Sequence, residues 1–409
     1  MTNGTTLESV TEVDSQSPST FLIRNGSDEI PPSTIFAENV TSRATEDADV
    51  RGELWIFPMV QKVLECGFVP AVSFIGAPVN VLNMIIFYRQ GLRDKMNLCL
   101  FSLALVDFLY VTSMCVLASY CFVGLAEPSV QLFAKWWIRK YDINFVFAFW
   151  YSSGALSSII ALERCICVVF PLKSGTMLNT RTMGVLLFST VLAISLLCLI
   201  YAFKHSVGYV IDPVTGKTVF TLMLTDLYLR NRKPFDVIEN VVLPSVGFVT
   251  FIVVAISTIV TAITLRRAIV WRQKKSSNSV GDKRQVVLVK MLVTVSCIYI
   301  LCTAPMVSLA ILRFRMSQFS TNGKLRHWFY VTHRAGNIIL MINSSVNFFV
   351  YVKQSSRFRQ ELRKMTRCAN HDGPRSAMQS SLCTGMPVKN SEAHVQTETN
   401  PSKQSRTSL

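Results

Sequence analysis

Two polar patches interrupt otherwise apolar stretches of this chain, and both carry residue types suited to relaying a conformational change. The first is Asn343-Ser344-Ser345-Val346-Asn347-Phe348-Phe349-Val350-Tyr351, where helical spacing puts Asn343 and Asn347 on one face with Ser344 and Tyr351 close beside them. The second is Asp107, a lone carboxylate in an apolar run, which needs hydrogen-bond partners if buried. Polar groups inside a bilayer are costly and turn toward a bundle interior or toward water. An internal hydrogen-bonded relay and a plain polar contact between two helices both meet that requirement.

The elements that must position these residues are membrane spans. Half of the 409 residues are hydrophobic and only 16% are charged, and the mean hydropathy is +0.37. That balance places most of the chain in a bilayer and argues against a soluble enzyme. Seven apolar runs, 66–88, 97–122, 141–170, 183–203, 238–265, 286–312 and 328–352, are each near or above the roughly 20 residues a span requires. The fold class expected is an all-α membrane protein, a seven-transmembrane helix bundle over 56–352. A short amphipathic helix at 353–366 follows it, between a tail at 1–55 and another at 367–409. Pro70, Pro78, Pro244 and Pro305 lie in or beside these runs, where neighbours can re-satisfy the freed carbonyls and the helix can kink.

The flanks suggest an orientation. The first 55 residues hold three basic against ten acidic residues and carry glycosylation sequons at Asn3, Asn25 and Asn39, so this tail is read as extracellular. No basic segment followed by a short apolar one opens the chain, so the first span is expected to serve as its own insertion signal. Seven spans then leave the C-terminus inside. The inner loops are basic, with Arg89, Arg93 and Lys95 after the first span and Lys353, Arg357, Arg359, Arg363 and Lys364 after the seventh. This bias and anionic inner-leaflet lipid account for much of the net charge of +16 without nucleic acid.

Glu163-Arg164-Cys165, followed by Pro171-Leu172-Lys173, resembles the Asp/Glu-Arg-Tyr motif of rhodopsin-like G-protein-coupled receptors. Asn80, Asn97, Asp107, Ser153, Pro244, Cys302, Pro305 and Asn347 through Tyr351 fall in the order of that family, over about residues 56–366. Within it, Asn80-Val-Leu-Asn83 and Ser355-Ser-Arg-Phe358 are similar to invertebrate FMRFamide-receptor-like and molluscan chemosensory-receptor-like sequences. The resemblance implies that Asn80, Ser153, Asn343, Ser344 and Asn347 surround Asp107 and hold either water or a sodium ion at Asp107 and Ser153. It also implies that Arg164 pairs with Glu163 and with groups on the sixth span until freed, that Tyr351 swings toward the same cavity, and that Pro305 and Thr303 belong to the switch. A hydrogen-bonded packing cluster without an ion stays open as the alternative at Asp107, as does a snorkelling role for Arg164.

Departures from the family pattern accompany the matches. Arg139 stands about where the family has a cysteine opening the third span, and residues 203–240 contain none, so the usual disulfide is absent. Cys66 and Cys121 both fall near the outer face; two separate free thiols is the favoured reading, with a bridge as the alternative. Thr303 replaces an indole switch residue, Ile252 a tyrosine and Phe348 a proline.

Some ligands are argued out. Met341 stands about where a retinal pigment has its Schiff-base lysine, and Val146 where an aminergic receptor has a carboxylate, with Asp142 one turn farther out. Tyr209 to Phe220 reads as two β-prone runs around Pro213 and Gly216, forming a hairpin that either rims a pocket or caps the bundle. Arg313, Arg315, Lys324, Arg326 and Arg334 occur without an acidic residue between them. A peptide carboxylate, a small anion or the acidic N-terminal tail would each suit them. Phe147, Trp150, Tyr151, Trp328 and His333 supply candidate aromatic walls.

Residues 353–366 alternate basic residues with Phe358, Leu362 and Met365, which suits a helix lying on the lipid surface. Cys368 beyond it is a palmitoylation candidate or a plain thiol, and the Ser/Thr-rich remainder is expected to be disordered. Such tails resemble those that recruit arrestin, and Thr407-Ser408-Leu409 fits a PDZ-protein ligand.

The expectation is a multi-pass plasma-membrane receptor that couples a neuropeptide to a heterotrimeric G protein, with no covalent chemistry and no cofactor beyond the sodium ion. A chemosensory receptor for small molecules and a non-coupling decoy are the rivals. A transporter is disfavoured because the segments show no repeat.

Overall fold

A computed structural model describes residues 56–123, 128–170, 179–211, 218–275, 280–320 and 323–370. Among them, seven helices are long and apolar enough to cross a membrane: α1 (Ile56–Gln90), α2 (Lys95–Phe122), α3 (Phe133–Val169), α4 (Thr180–Lys204), α5 (Arg232–Val270), α6 (Val286–Arg315) and α7 (Arg326–Gln354). This is the expected bundle in a multi-pass membrane protein. The helices close a ring in which α1 packs on α2 and α7 and α6 on α5 and α7, while α3 runs through the centre against α2, α4, α5 and α6. An amphipathic helix, α8 (Ser356–Asn370), follows a break at Ser355.

The bundle exposes large apolar side chains that a soluble protein would bury, over a core that is itself mostly apolar. Phe74, Leu301, Phe188 and Phe314 are 84%, 72%, 70% and 90% exposed. Lipid is as apolar as these side chains, so nothing is gained by hiding them. Asn80, Asn83, Asp107, Ser153, Asn343, Ser344, Ser345 and Asn347 are all turned inward. Gly76 sets the closeness of α1 to its neighbours, since a Cβ there would collide with the Ser345 hydroxyl of α7 and crowd Val111 of α2.

Local chemistry fixes several boundaries. Gly91, with φ of 95°, ends α1 in a region that only glycine enters freely. Asp94 caps α2 by accepting from the Met96 amide at 2.9 Å. The Asn97 side chain ties the two helices together by donating to the carbonyls of Gln90 and Gly91 at 3.3 and 3.1 Å. Pro70 and Pro244 act differently from a simple kink: each is preceded by a π-helical turn, Leu64–Phe68 in α1 and Ile238–Val242 in α5. A proline lacks the amide that would bond four residues back, and a wider turn accommodates the loss.

Strands β1 (His205–Ile211) and β2 (Thr218–Leu224) form the expected antiparallel hairpin, with His205 opposite Leu224 and Tyr209 opposite Phe220. Its Phe220 meets Phe133 of α3 edge-on, with centroids 4.9 Å apart. The hairpin thus stands on an extension of α3 that the hydropathy reading, starting at 141, leaves out. α1 is likewise longer than expected, beginning at Ile56 rather than 66.

Two further expectations are corrected. Cys66 and Cys121 are not separate thiols; they form a disulfide, with Cα atoms 5.6 Å apart. The π-turn carries Cys66, and the chain bends after Ser119 so that a further short helical turn, Tyr120–Val123, presents Cys121 to it. The amphipathic helix runs to Asn370, so the boundary at 367 falls inside it. Its Phe358 is buried against Phe87 and Tyr351. The Cys368 side chain, the sequons at Asn3, Asn25 and Asn39, and the tail from 371 to Leu409 lie outside the described residues.

Candidate functional site

At mid-depth, the carboxyl of Asp107 joins three helices. Ser153 of α3 donates to its Oδ1 at 2.6 Å, and Asn347 of α7 donates through Nδ2 to its Oδ2 at 3.1 Å. Ser344 lies beside the same carboxyl. One turn away, Asn80 of α1 donates to the carbonyls of Gly76 and Ser344 at 3.0 and 3.1 Å and accepts from Asn83 at 3.4 Å. The structure therefore brings Asp107, Ser153, Ser344 and Asn347 together directly and Asn80 at one remove, while Asn343 is buried without a bond to Asp107 among the described residues. A displacement of any one of these helices must break or lengthen a buried hydrogen bond.

At the end of the bundle opposite the hairpin, both oxygens of Glu163 are engaged by the guanidinium of Arg164, its neighbour in α3. Lys95, at the start of α2, adds a second cation 3.3 Å from Oε1, and the Cys167 thiol donates to the same oxygen at 3.2 Å. Arg164 also lines a cavity between α3, α5 and α6 with Thr258, Thr261, Val289 and Ser296. Its contact with α6 is through this apolar and hydroxyl-bearing wall, and the charge is met on α3. The hydroxyls of Thr258 and Thr261 face the cavity side buried and without a partner among the described residues. Sequence reasoning missed these two threonines, because a lone hydroxyl in an apolar helix ordinarily satisfies itself on its own backbone.

Tyr351 is nearly fully buried. Its ring meets Phe87 of α1 edge-on at 5.3 Å and Phe358 of α8 at 5.7 Å. Phe348 joins the same stack at 5.8 Å from Phe358. The position that resembles a missing hinge proline is thus used to clamp α8 to α7. Pro305 lies inside α6, which continues through it, with Thr303 buried nearby.

The hairpin end holds a charge cluster that the sequence reading did not anticipate. Glu65, on the π-turn of α1, is 6% exposed, and Arg334 of α7 approaches its Oε1 at 2.6 Å. The Tyr120 hydroxyl donates to Oε2, and the adjacent Cys66–Cys121 disulfide holds the two helices at that level. Lys135 and Arg139 of α3 line the same recess. At the start of β1, burial and then the positive charges of Lys204 and Arg139 push the His205 imidazole down to about 4, so it stays neutral near pH 7.

The other residues singled out for ligand contact are dispersed. Phe147 stacks on Tyr201 at 4.5 Å and Trp150 on Tyr151 at 4.7 Å. Val146 sits in the core with Met306. Arg313 donates to Asn240 at 2.9 Å, Trp328 meets Phe57 at 5.1 Å, and His333 meets Phe329 at 5.7 Å. Asp142 keeps one buried oxygen without a hydrogen-bond partner among the described residues.

A carboxylate relay joining α2, α3 and α7, a glutamate–arginine pair at one end of α3 and seven spans define a known arrangement, and the 7 transmembrane receptor (rhodopsin family) pattern matches residues 79–351. The chain belongs to that family. It is similar to an FMRFamide receptor of Drosophila melanogaster, at 24% identity over 360 residues that cover 82% of this chain and 58% of the relative. It is also similar to a putative G-protein coupled receptor of Homo sapiens, at 30% identity over 125 residues, 31% of this chain and 41% of the relative. The chain thus spans about half the length of the curated relatives it matches. The Asp107 junction and the Glu163–Arg164 pair lie within the matched residues, with Cys165 after the arginine and Phe348 after Asn347. The bridge from Cys66 to Cys121 joins α1 to α2.

Proposed function

We propose that the protein is a plasma-membrane receptor that takes a ligand at the hairpin end, facing outside, and promotes nucleotide exchange on a heterotrimeric G protein at the Arg164 end. The observation that carries this reading is the Asp107 hydrogen-bond junction between α2, α3 and α7, lying between a charged recess and the Arg164 cavity. Ligand contact at the rim shifts α3 against α7, the junction rearranges, and α6 swings from α3 so that Arg164 leaves Glu163. The unpaired hydroxyls of Thr258 and Thr261 then offer Arg164 new acceptors.

A neuropeptide is the ligand class favoured by the similarity to an FMRFamide receptor; a chemosensory small molecule is the alternative. Asp107 and Ser153 would hold a sodium ion, for which one carboxylate among hydroxyl oxygens is a suitable hard-oxygen donor set, and its charge would bias the junction toward its compact form. Glycans at Asn3, Asn25 and Asn39, a palmitoyl group at Cys368, inner-leaflet lipid beneath α8, arrestin on the C-terminal tail and a PDZ protein at Leu409 complete the proposal.

Replacing Arg164 by alanine in the full chain tests it. Nucleotide exchange in membranes should fall to the level of membranes lacking the receptor while surface expression is kept. Unchanged exchange, or no receptor-dependent exchange in the native protein under a screen of peptides and small anions, rejects coupling and leaves the decoy reading.

A further inference from the structure

Among the described residues, charge in the recess at the hairpin end does not balance. Glu65 is the only carboxylate among the residues lining it, against Lys135, Arg139 and Arg334. That one carboxylate is fully committed, since Arg334 takes Oε1 and the Tyr120 hydroxyl takes Oε2. The Arg334 and Glu65 side chains are only 13% and 8% exposed, so this pair is largely screened from water. Lys135 stands 5.1 Å over the Tyr120 ring and 5.7 Å over that of Trp136, contacts that favour a cation without neutralising it. Arg139 makes no ion pair with an acidic side chain among the described residues, and it lies close enough to Arg334 for the two charges to repel. A partly buried surplus of two positive charges is expensive to maintain in a low-dielectric surround. The opposite wall is apolar, formed by Val69, Met114, Leu117 and Ala118.

We propose that this recess is an anion site: a carboxylate on the ligand, attached to an apolar group, seats its oxygens between Lys135 and Arg139 and lays the apolar group on Met114 and Leu117. The planar guanidinium of Arg139 supplies two parallel donors to such a group and Lys135 a point charge. The proposal rests on the reading of this end as the ligand face. It adds the ligand's charge and the residues that select it. Glu65 then acts as a built-in competitor that holds Arg334 away from the ligand.

Binding to the purified full-length protein in detergent, read by thermal shift without G protein, tests the site independently of signalling. Four probes suffice: benzoate and benzamide, and a pentaglycine peptide ended by phenylalanine as free acid and as amide. At least one acid should bind about tenfold or more tightly than its amide; a preference confined to the peptide pair assigns the carboxylate to a peptide terminus, and one confined to benzoate assigns it to a small organic anion. R139Q should reduce that preference to less than about threefold, while R139K, which keeps the charge but loses the parallel donors, should leave an intermediate preference. E65Q, which keeps the Tyr120 hydrogen bond and releases Arg334, should tighten acid binding severalfold, a direction that a purely structural role for the cluster would not produce. Equal affinity within both pairs, no binding by any probe, or a preference that survives R139Q overturns the proposal. Loss of signalling with the acid preference intact would instead count against G-protein coupling alone.

Discussion

The two ends of the bundle each bury a glutamate against two or more cations, yet they are wired differently. Glu163 meets Arg164, its neighbour in the same helix, and Lys95 from α2. Glu65 meets Arg334 and Tyr120, which come from α7 and from the last turn of α2, with Arg139 and Lys135 in reserve on α3. A pair made within one helix can open without separating helices, which suits a latch. A pair made between the first and last spans holds the ring shut, and opening it loosens the bundle. Similar chemistry thus serves release at one end and closure at the other.

That contrast is open to test. Glu65→Ala should be the most damaging change, costing about 3–5 kcal/mol because it leaves the largely buried Arg334 without its partner. Thermal unfolding in detergent would show it, with basal nucleotide exchange little altered. Cys66→Ala should cost about 2–4 kcal/mol, since the bridge joins positions 55 residues apart and restrains the same rim; non-reducing conditions should separate it from the native protein, and reducing conditions should erase the difference. Glu163→Ala should act on activity, raising basal exchange about fivefold, equivalent to roughly 1 kcal/mol, with a smaller loss of stability. If the two glutamate variants gave the same pattern, the division between closure and release would be wrong.

The smallest effect near neutrality concerns His205. Its folded value of about 4 lies below the ordinary 6.5, so the fold favours the neutral ring. As pH falls from 6.5 toward 4 the unfolded chain takes up a proton that the folded chain refuses, and stability declines through that window. His205→Phe should remove this part of the acid sensitivity and leave stability at pH 7.5 nearly unchanged.

How much could be read in advance differed between the same two ends. Asp107, Asn347 and Glu163-Arg164 stand out because each is a polar residue where an apolar run or its boundary makes polarity costly; the helical repeat aligns Asn343 with Asn347, and the family resemblance supplies the grouping around Asp107. Glu65 sits one residue outside the first run as bounded by hydropathy, and its partner lies at position 334, so neither periodicity nor local composition links them. The disulfide escaped for a related reason. Whether Cys66 and Cys121 meet depends on a π-turn and on the bend after Ser119, features that a regular helical projection does not contain. Arg139 was visible as a substitution for a cysteine, but its role emerges only once the recess has walls.

Each π-turn adds one residue to a helical lap, and one residue is about 100° of rotation. The segments on the hairpin side of Leu64–Phe68 and of Ile238–Val242 are therefore phased independently of the helices below them. Inserting or deleting a single residue at these turns would re-aim the rim while leaving the Asp107 junction in register. The bundle behaves like a fixed shaft with adjustable couplings at its mouth, so the face presented to a ligand can drift in evolution without the relay having to be rebuilt.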